Sequence, residues 1–230
     1  GRGELRVPAI GIAVIDALGR GALAAADALH AACHLTEPAA HVREQHAALA
    51  RHIVTIPRGV DISKFSPDSV TPARRAALGK AWRLPEENRP ALILLPARMT
   101  GWKGHREAIA AAALLAGRKV PSWQMIFAGD DQGREGYLEE LRQLIASHGL
   151  DDRIAMVGHC DDMPAALALA DIVIAPSNEP EAFGRVAAEA GAMGAPVIGS
   201  SIGAQGEIID TGRTGLIVPP LNPPALAAAM

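Results

Sequence analysis

From His52 onwards, short apolar runs alternate with helix-prone segments, and few architectures accept that rhythm. HIVTIP, Ala91 to Ala97, Ser122 to Ala128, Arg153 to Gly158, Asp171 to Pro176, Pro196 to Gly199 and Thr214 to Val218 read as strands. Between them lie helical segments from Gly104 to Ala116, about Tyr137 to Ser147, about Met163 to Ala170, and Gly184 to Met193. A last helix begins near Pro224, where proline is tolerated in the first turn. Residues 66–90 read as a polar loop and a charged helix, punctuated by Pro67, Pro72, Pro85 and Pro90. The alternation predicts an α/β fold: a Rossmann-like parallel sheet with helices on both faces. With 49% hydrophobic residues but only three Trp, one Tyr and three Phe, the core must be built from Ala, Leu, Ile and Val.

The first fifty residues follow a different pattern. Val7 to Leu18 suits a strand or a buried helix equally, because periodicity does not separate the two over so short a run. Residues 22–32 and 37–49 are helix-prone. His30, Cys33 and His34 have a spacing that can ligate zinc, but no second pair of ligands stands at a usual distance, so no metal site is assigned. The net charge of −3 and the lack of basic runs interleaved with aromatics exclude nucleic acid as a partner. Two distant cysteines, Cys33 and Cys160, form no disulfide framework and fit a reducing, cytoplasmic location. No signal peptide or membrane-spanning run is present, which leaves peripheral attachment at the inner face of a membrane open.

Residues with chemical capability fall immediately after the strands: Arg98, Gly129, Gly158-His159, Glu181 and Glu207. In an open parallel sheet, ligands bind at the carboxyl ends of the strands, so these loops converge on one edge. Arg98 and Lys103 supply the clearest charge signal. A cation at a helix start opposes the macrodipole, and two of them make sense there if an anion sits between. A diphosphate suits the pair, since Arg grips two oxygens and Lys acts as a mobile point charge. Further on, Glu181 and Glu189 have seven residues between them. The backbone N–H groups of the helix start near Phe183 and Gly184, which have no intrahelical partners, suit a phosphate or a sugar hydroxyl. No G-x-G-x-x-G follows a strand and no G-x4-G-K-[ST] loop is present. The adjacent Asp pairs at 130–131, 151–152 and 161–162 suit caps and turns better than metal.

Several of these stretches together resemble one enzyme family. Arg58-Gly59-Val60-Asp61 with Phe65, Arg98-x4-Lys103-Gly104-His105, and SNEPEAFGRVAAEAGAMGAPVIGS from Ser177 to Ser200 are similar, in order, to the motifs of retaining GT-B-fold glycosyltransferases of the family-four type. The resemblance runs from about Ala25 to the last residue. It implies that residues 51–230 are the nucleotide-sugar-binding C-terminal half of a GT-B fold, truncated relative to the family, and that residues 1–50 are the tail of the acceptor domain and the connection. It assigns Arg98 and Lys103 to the donor diphosphate. Glu181, with backbone N–H groups near Phe183 and Gly184, falls to the transferred sugar, and Glu189 to the ribose. Val157 to Met163, including Gly158, His159 and Met163, would flank the base. His105 is read as a helix-start residue, Glu207 as structural, and Cys160 as a reduced thiol beside the base pocket. The sequence departs from the pattern at Gly203-Ala204, where the family usually has Gly-Gly.

The expected activity is transfer of a hexose from a UDP-, GDP- or ADP-sugar to a glycan or lipid-linked acceptor, with retention of configuration and without a metal or other cofactor. Two alternatives stand beside it: a sugar-nucleotide epimerase of GT-B-like fold and a non-catalytic nucleotide-sugar-binding domain. On the family pattern the acceptor domain lies upstream, any membrane contact is made through it, and the chain alone is expected to transfer no sugar at a useful rate.

Overall fold

The computed structural model describes residues 59–181 and 183–230 together with two strand segments, Ile10–Val14 (β1) and Ile53–Pro57 (β2). Those two pair antiparallel with each other, from Ile10 opposite Pro57 to Val14 opposite Ile53. The apolar run beginning at Val7 therefore contains a strand, and HIVTIP contributes to this ribbon rather than to the parallel sheet. The helices expected at 22–32 and 37–49, the boundary near residue 50 and the His30/Cys33/His34 group lie outside the described residues.

The parallel sheet is built from Ala91–Pro96 (β3), Trp123–Ala128 (β4), Ile154–Gly158 (β5), Ile172–Ala175 (β6), Val197–Ser200 (β7) and Gly215–Val218 (β8). Their order across the sheet is β5-β4-β3-β6-β7-β8, and every neighbouring pair is parallel. This is the doubly wound order, and the α/β, Rossmann-like reading holds. The helices are Pro72–Ala81 (α1), His105–Ala116 (α2), Glu135–Ser147 (α3), Met163–Leu169 (α4), Arg185–Ala192 (α5), Gln205–Ile208 (α6) and Pro223–Ala229 (α7). Caps set several of their starts: Thr71 accepts from Arg74 N–H, Asp162 from Ala165 N–H and Asn222 from Ala225 N–H. The four-residue α6 and a 3-10 turn at Gly101–Lys103 were not anticipated, being too short to show a period.

Alternate residues of each central strand enter different cores. Ile93, Leu95, Met125, Phe127, Ile174 and Ile198 pack with α2, α3 and α7, whereas Leu92, Leu94, Ile126, Val173 and Val197 pack with α1, α4 and α5. Burial on both faces is why these strands read as unbroken apolar runs. Each fully buried Leu, Ile or Phe contributes about 1.5–3 kcal/mol of transfer free energy, which fixes the register and hence the height of every loop above the sheet.

Candidate active site

The strand order reverses between β3 and β6: from β3 the chain first builds outward through β4 and β5, then returns to place β6 on the other side of β3. In an open parallel sheet, the carboxyl ends of the strands at such a reversal are where ligands bind. Arg98, the 3-10 turn Gly101–Lys103 and the start of α2 come from the β3 side. Ser177, Glu181 and the start of α5 come from the β6 side.

Backbone contacts hold the two loops together. Asn178 N–H donates to Trp102 O at 2.7 Å. Gly104 adopts φ +80°, and a Cβ there would lie 1.9 Å from the carbonyl oxygen of Pro176, so only glycine allows this approach. The β6–α5 loop is braced from its far side as well, where Ala204 N–H donates to Glu181 O at 2.9 Å. Gly203, at φ +75°, sits where a Cβ would meet Glu181 N at 2.4 Å. Of the Gly203-Ala204 pair, only the first position requires glycine. Ala204 has φ −69°, which alanine adopts without strain.

This edge of the sheet is charged. Lys103 Nζ pairs with Glu181 Oε1 at 2.8 Å, with both side chains only about a tenth exposed (12% and 11%). The same Oε1 accepts from the buried Ser177 hydroxyl. Lys103 Nζ also lies 4.1 Å from the ring centroid of Trp102, a cation–π contact. Burial pushes the Lys103 ammonium below its ordinary pKa; Glu181 opposes that shift, and the positive charges of Arg98 and Arg185 add to it. Glu189, on α5, is held above the ordinary carboxylate value by burial, against the pull of Arg185 and Lys64. Arg185 Nε lies 3.7 Å from Glu189 Oε1. Arg98 and Arg185 are therefore close enough to act on Lys103, and Arg185 and Lys64 to act on Glu189.

The structure therefore brings Arg98, Lys103, Glu181 and Glu189 to one edge of the sheet, but with a pairing the sequence did not suggest. Lys103 is engaged by Glu181, while Arg98 is exposed. Phe183 is buried in an apolar cluster with Ala188, Val60 and Ile208, which anchors the loop ahead of α5. Gly184 is the left-handed N-cap of α5, and Ile208 Cδ1 would lie 3.1 Å from a Cβ at that position. On the β5 side, Gly158 and His159 are exposed, His159 Nε2 lies 3.2 Å from Asp161 Oδ1, and Met163 opens α4. Cys160 is buried, and burial raises its thiol pKa. His105, first residue of α2, is fully buried with its ring edge-on to Phe127 at 5.1 Å; burial lowers its pKa to about 4. It stands at the helix start, as expected, and its ring belongs to the core. Glu207 is exposed in the first turn of α6. Among the described residues, no three His, Cys, Asp or Glu side chains converge on a metal-sized site. Ser177, Trp102, Lys64 and Arg185 were missed as site residues; only Arg185, four residues before Glu189, carried a local signal.

Residues 80–230, well over half of the chain, match the family model described as glycosyl transferases group 1. The chain belongs to that family. It is 34% identical over 171 residues to the GDP-mannose-dependent alpha-(1-6)-phosphatidylinositol monomannoside mannosyltransferase of Mycobacterium tuberculosis, an alignment covering 71% of this chain and 42% of that protein. Among solved structures, a glycosyltransferase from Rickettsia africae ESF-5 superposes with a TM-score of 0.74 at 33% identity, over 82% of this chain and 50% of that one. Anabaena HepE in complex with UDP-glucose superposes with a TM-score of 0.71 at 26% identity, over 85% and 51%. The relatives are GT-B glycosyltransferases, and the chain spans about half the length of each. Among the described residues, no helix is long and apolar enough to cross a membrane.

Proposed function

We propose that this member of the glycosyl transferases group 1 family is the donor-binding half of a retaining hexosyltransferase that takes a nucleoside diphosphate sugar without a metal ion. The observation that carries the reading is the Lys103–Glu181 pair, set in a positive field where the strand order reverses. Lys103 with Arg98 and Arg185 nearby offers cations to a diphosphate, and Glu181 offers a hydroxyl acceptor to the sugar joined to it. Arg98 and Lys103 bind the diphosphate, and as the sugar–phosphate bond breaks they stabilise the charge that develops on the leaving phosphate. Glu181 accepts from sugar hydroxyls beside the backbone N–H groups of Phe183 and Gly184. Glu189 accepts from the ribose, and Gly158, His159 and Met163 flank the base.

The acceptor, a glycan or a lipid-linked sugar, enters from the half of the enzyme that this chain does not span. That half also makes any contact with the inner face of the membrane, and the work is done in the cytoplasm. The mannosyltransferase relative, named for a GDP-mannose donor and a phosphatidylinositol mannoside, and HepE, solved with UDP-glucose, support this chemistry. Positioning of donor against acceptor and exclusion of water need both walls of the cleft, so the chain alone binds donor and turns over little. The test is calorimetry in chelator with UDP, GDP, ADP and their glucose and mannose conjugates. Binding of at least one nucleoside diphosphate is expected. No binding by a folded chain, or binding only after a divalent metal is restored, refutes the reading.

A further inference from the structure

We propose that Ser177 is a positioning residue for Glu181: its hydroxyl keeps the carboxylate in place when Lys103 leaves it for the donor phosphate. The inference rests on the donor-binding reading above and concerns a residue to which that reading gives no role.

Ser177 lies two residues beyond the end of β6 and is 1% exposed. A hydroxyl buried there must find a partner, and it donates to Glu181 Oε1, four residues further along the same loop. Lys103 Nζ reaches the same oxygen at 2.8 Å. Both donors land on Oε1, so Oε2 is the atom left to accept from a sugar hydroxyl. The arrangement is asymmetric in a useful way. Lys103 is the partner a diphosphate competes for, because a lysine is a point charge on a flexible stem. Ser177 is neutral and carries no charge for the phosphate to capture. Once Lys103 has exchanged the carboxylate for the phosphate, Ser177 alone keeps Oε1 occupied. A Glu side chain loses much rotamer freedom when it is fixed, and Ser177 leaves that loss already made before the sugar arrives. The backbone is set independently: Ala204 N–H holds Glu181 O, and Gly203 packs against Glu181 N. Ser177 therefore governs the side chain rather than the loop.

A double-mutant cycle tests this by calorimetry, using the nucleoside diphosphate that binds tightest in the panel above and its sugar conjugate. Ser177→Ala is expected to weaken the conjugate on the order of tenfold, the size of a lost hydrogen bond to a charged group. It is expected to change free nucleoside diphosphate affinity less than about threefold, and Ser177→Thr, which keeps the hydroxyl, restores the conjugate. In a Glu181→Ala background, Ser177→Ala is expected to change conjugate affinity less than about twofold, because the group it acts through is gone. Equal losses for both ligands, or the full Ser177→Ala effect without Glu181, overturn the proposal. The cycle decides without the Thr variant if its extra methyl does not fit. A folded wild-type chain that binds no nucleoside diphosphate overturns the donor-binding reading itself, and this inference with it.

Discussion

Replacing Glu181 with Gln should tighten binding of the free nucleoside diphosphate, although Glu181 lies in the proposed donor site. On the proposed reading, Glu181 competes with the donor phosphate for Lys103. Their charged atoms are 2.8 Å apart, and the side chains are 12% and 11% exposed. With charge centres about 4 Å apart and an effective dielectric constant of about 20, the gross attraction is about 4 kcal/mol. Desolvation of the two groups takes back much of it, leaving about 1–2 kcal/mol that a phosphate must overcome to take the lysine. Glu181 also repels the incoming diphosphate, which acts in the same direction. Glu181→Gln removes both obstacles and keeps a side chain that can accept from Ser177. The expected gain is about 1–2 kcal/mol, roughly five- to thirtyfold in Kd for the free nucleotide. The sugar conjugate should gain much less, because its hydroxyls lose a charged acceptor. The advantage of conjugate over free nucleotide should therefore collapse. A pH series adds a second readout. Burial, Arg98 and Arg185 all push the Lys103 pKa down, and Glu181 is the carboxylate that opposes them. Without it, Lys103 loses its proton at lower pH, so nucleotide affinity in Glu181→Gln should fall off earlier on the alkaline side than in wild type. Unchanged or weaker binding of the free nucleotide by the folded variant would refute the competition argument.

Other consequences follow from neighbouring residues. Arg98→Ala should weaken the free nucleoside diphosphate and its conjugate alike, by about 1.5–3 kcal/mol if charge-assisted hydrogen bonds are lost, as read by calorimetry. His105 is buried with its pKa lowered from 6.5 to about 4, so the unfolded chain takes up the proton first. The stability it confers is fully present above pH 6.5 and is lost as pH falls toward 4, by about 3 kcal/mol, and His105→Phe should remove this part of the denaturant-measured pH dependence. Gly104→Ala forces a Cβ to within 1.9 Å of the Pro176 carbonyl oxygen at φ +80°. It should cost more than about 2 kcal/mol of stability in thermal unfolding, since only separation of the two loops relieves the clash.

Much of the fold was legible because its physical cause is local. The run ALILLP is buried on both faces, and burial of that kind leaves an unbroken apolar stretch in the sequence. Turn and cap residues marked some helix starts, as at Asp162, and the last helix begins at Pro223, one residue before the expected Pro224. What escaped was short or non-local. Gln205–Ile208 completes a single turn and shows no period. The antiparallel pairing of Ile53–Pro57 with Ile10–Val14 joins distant segments, so nothing within HIVTIP distinguishes it from a strand of the main sheet. Within the site, the charged residue types were legible and their partners were not. Arg98 and Lys103 read as one clamp because they are five positions apart, yet Lys103 is held by a carboxylate far along the chain. Ser177 was visible only as part of a pattern, since a serine after a strand has no signature until the group it bonds to is known.

That distant pairing is a product of topology. Lys103 and Glu181 follow the first and fourth strands of the parallel sheet, and they meet because those two strands are neighbours where the winding reverses. The meeting is then fixed by contacts that involve neither charge: Gly104 against the Pro176 carbonyl, Asn178 N–H on Trp102 O, and Ala204 N–H on Glu181 O. Two buried charges brought together by flexible loops would have to recover both their desolvation and the ordering of the loops. Here the backbone has already been ordered by packing and hydrogen bonding that stabilise the fold in their own right. In the proposed donor site, the ion pair can therefore be exchanged for a ligand without the loops coming apart. A site that releases a lysine to an anion and keeps its carboxylate in place needs this separation of tasks: the backbone holds the geometry, while the side chains change partners.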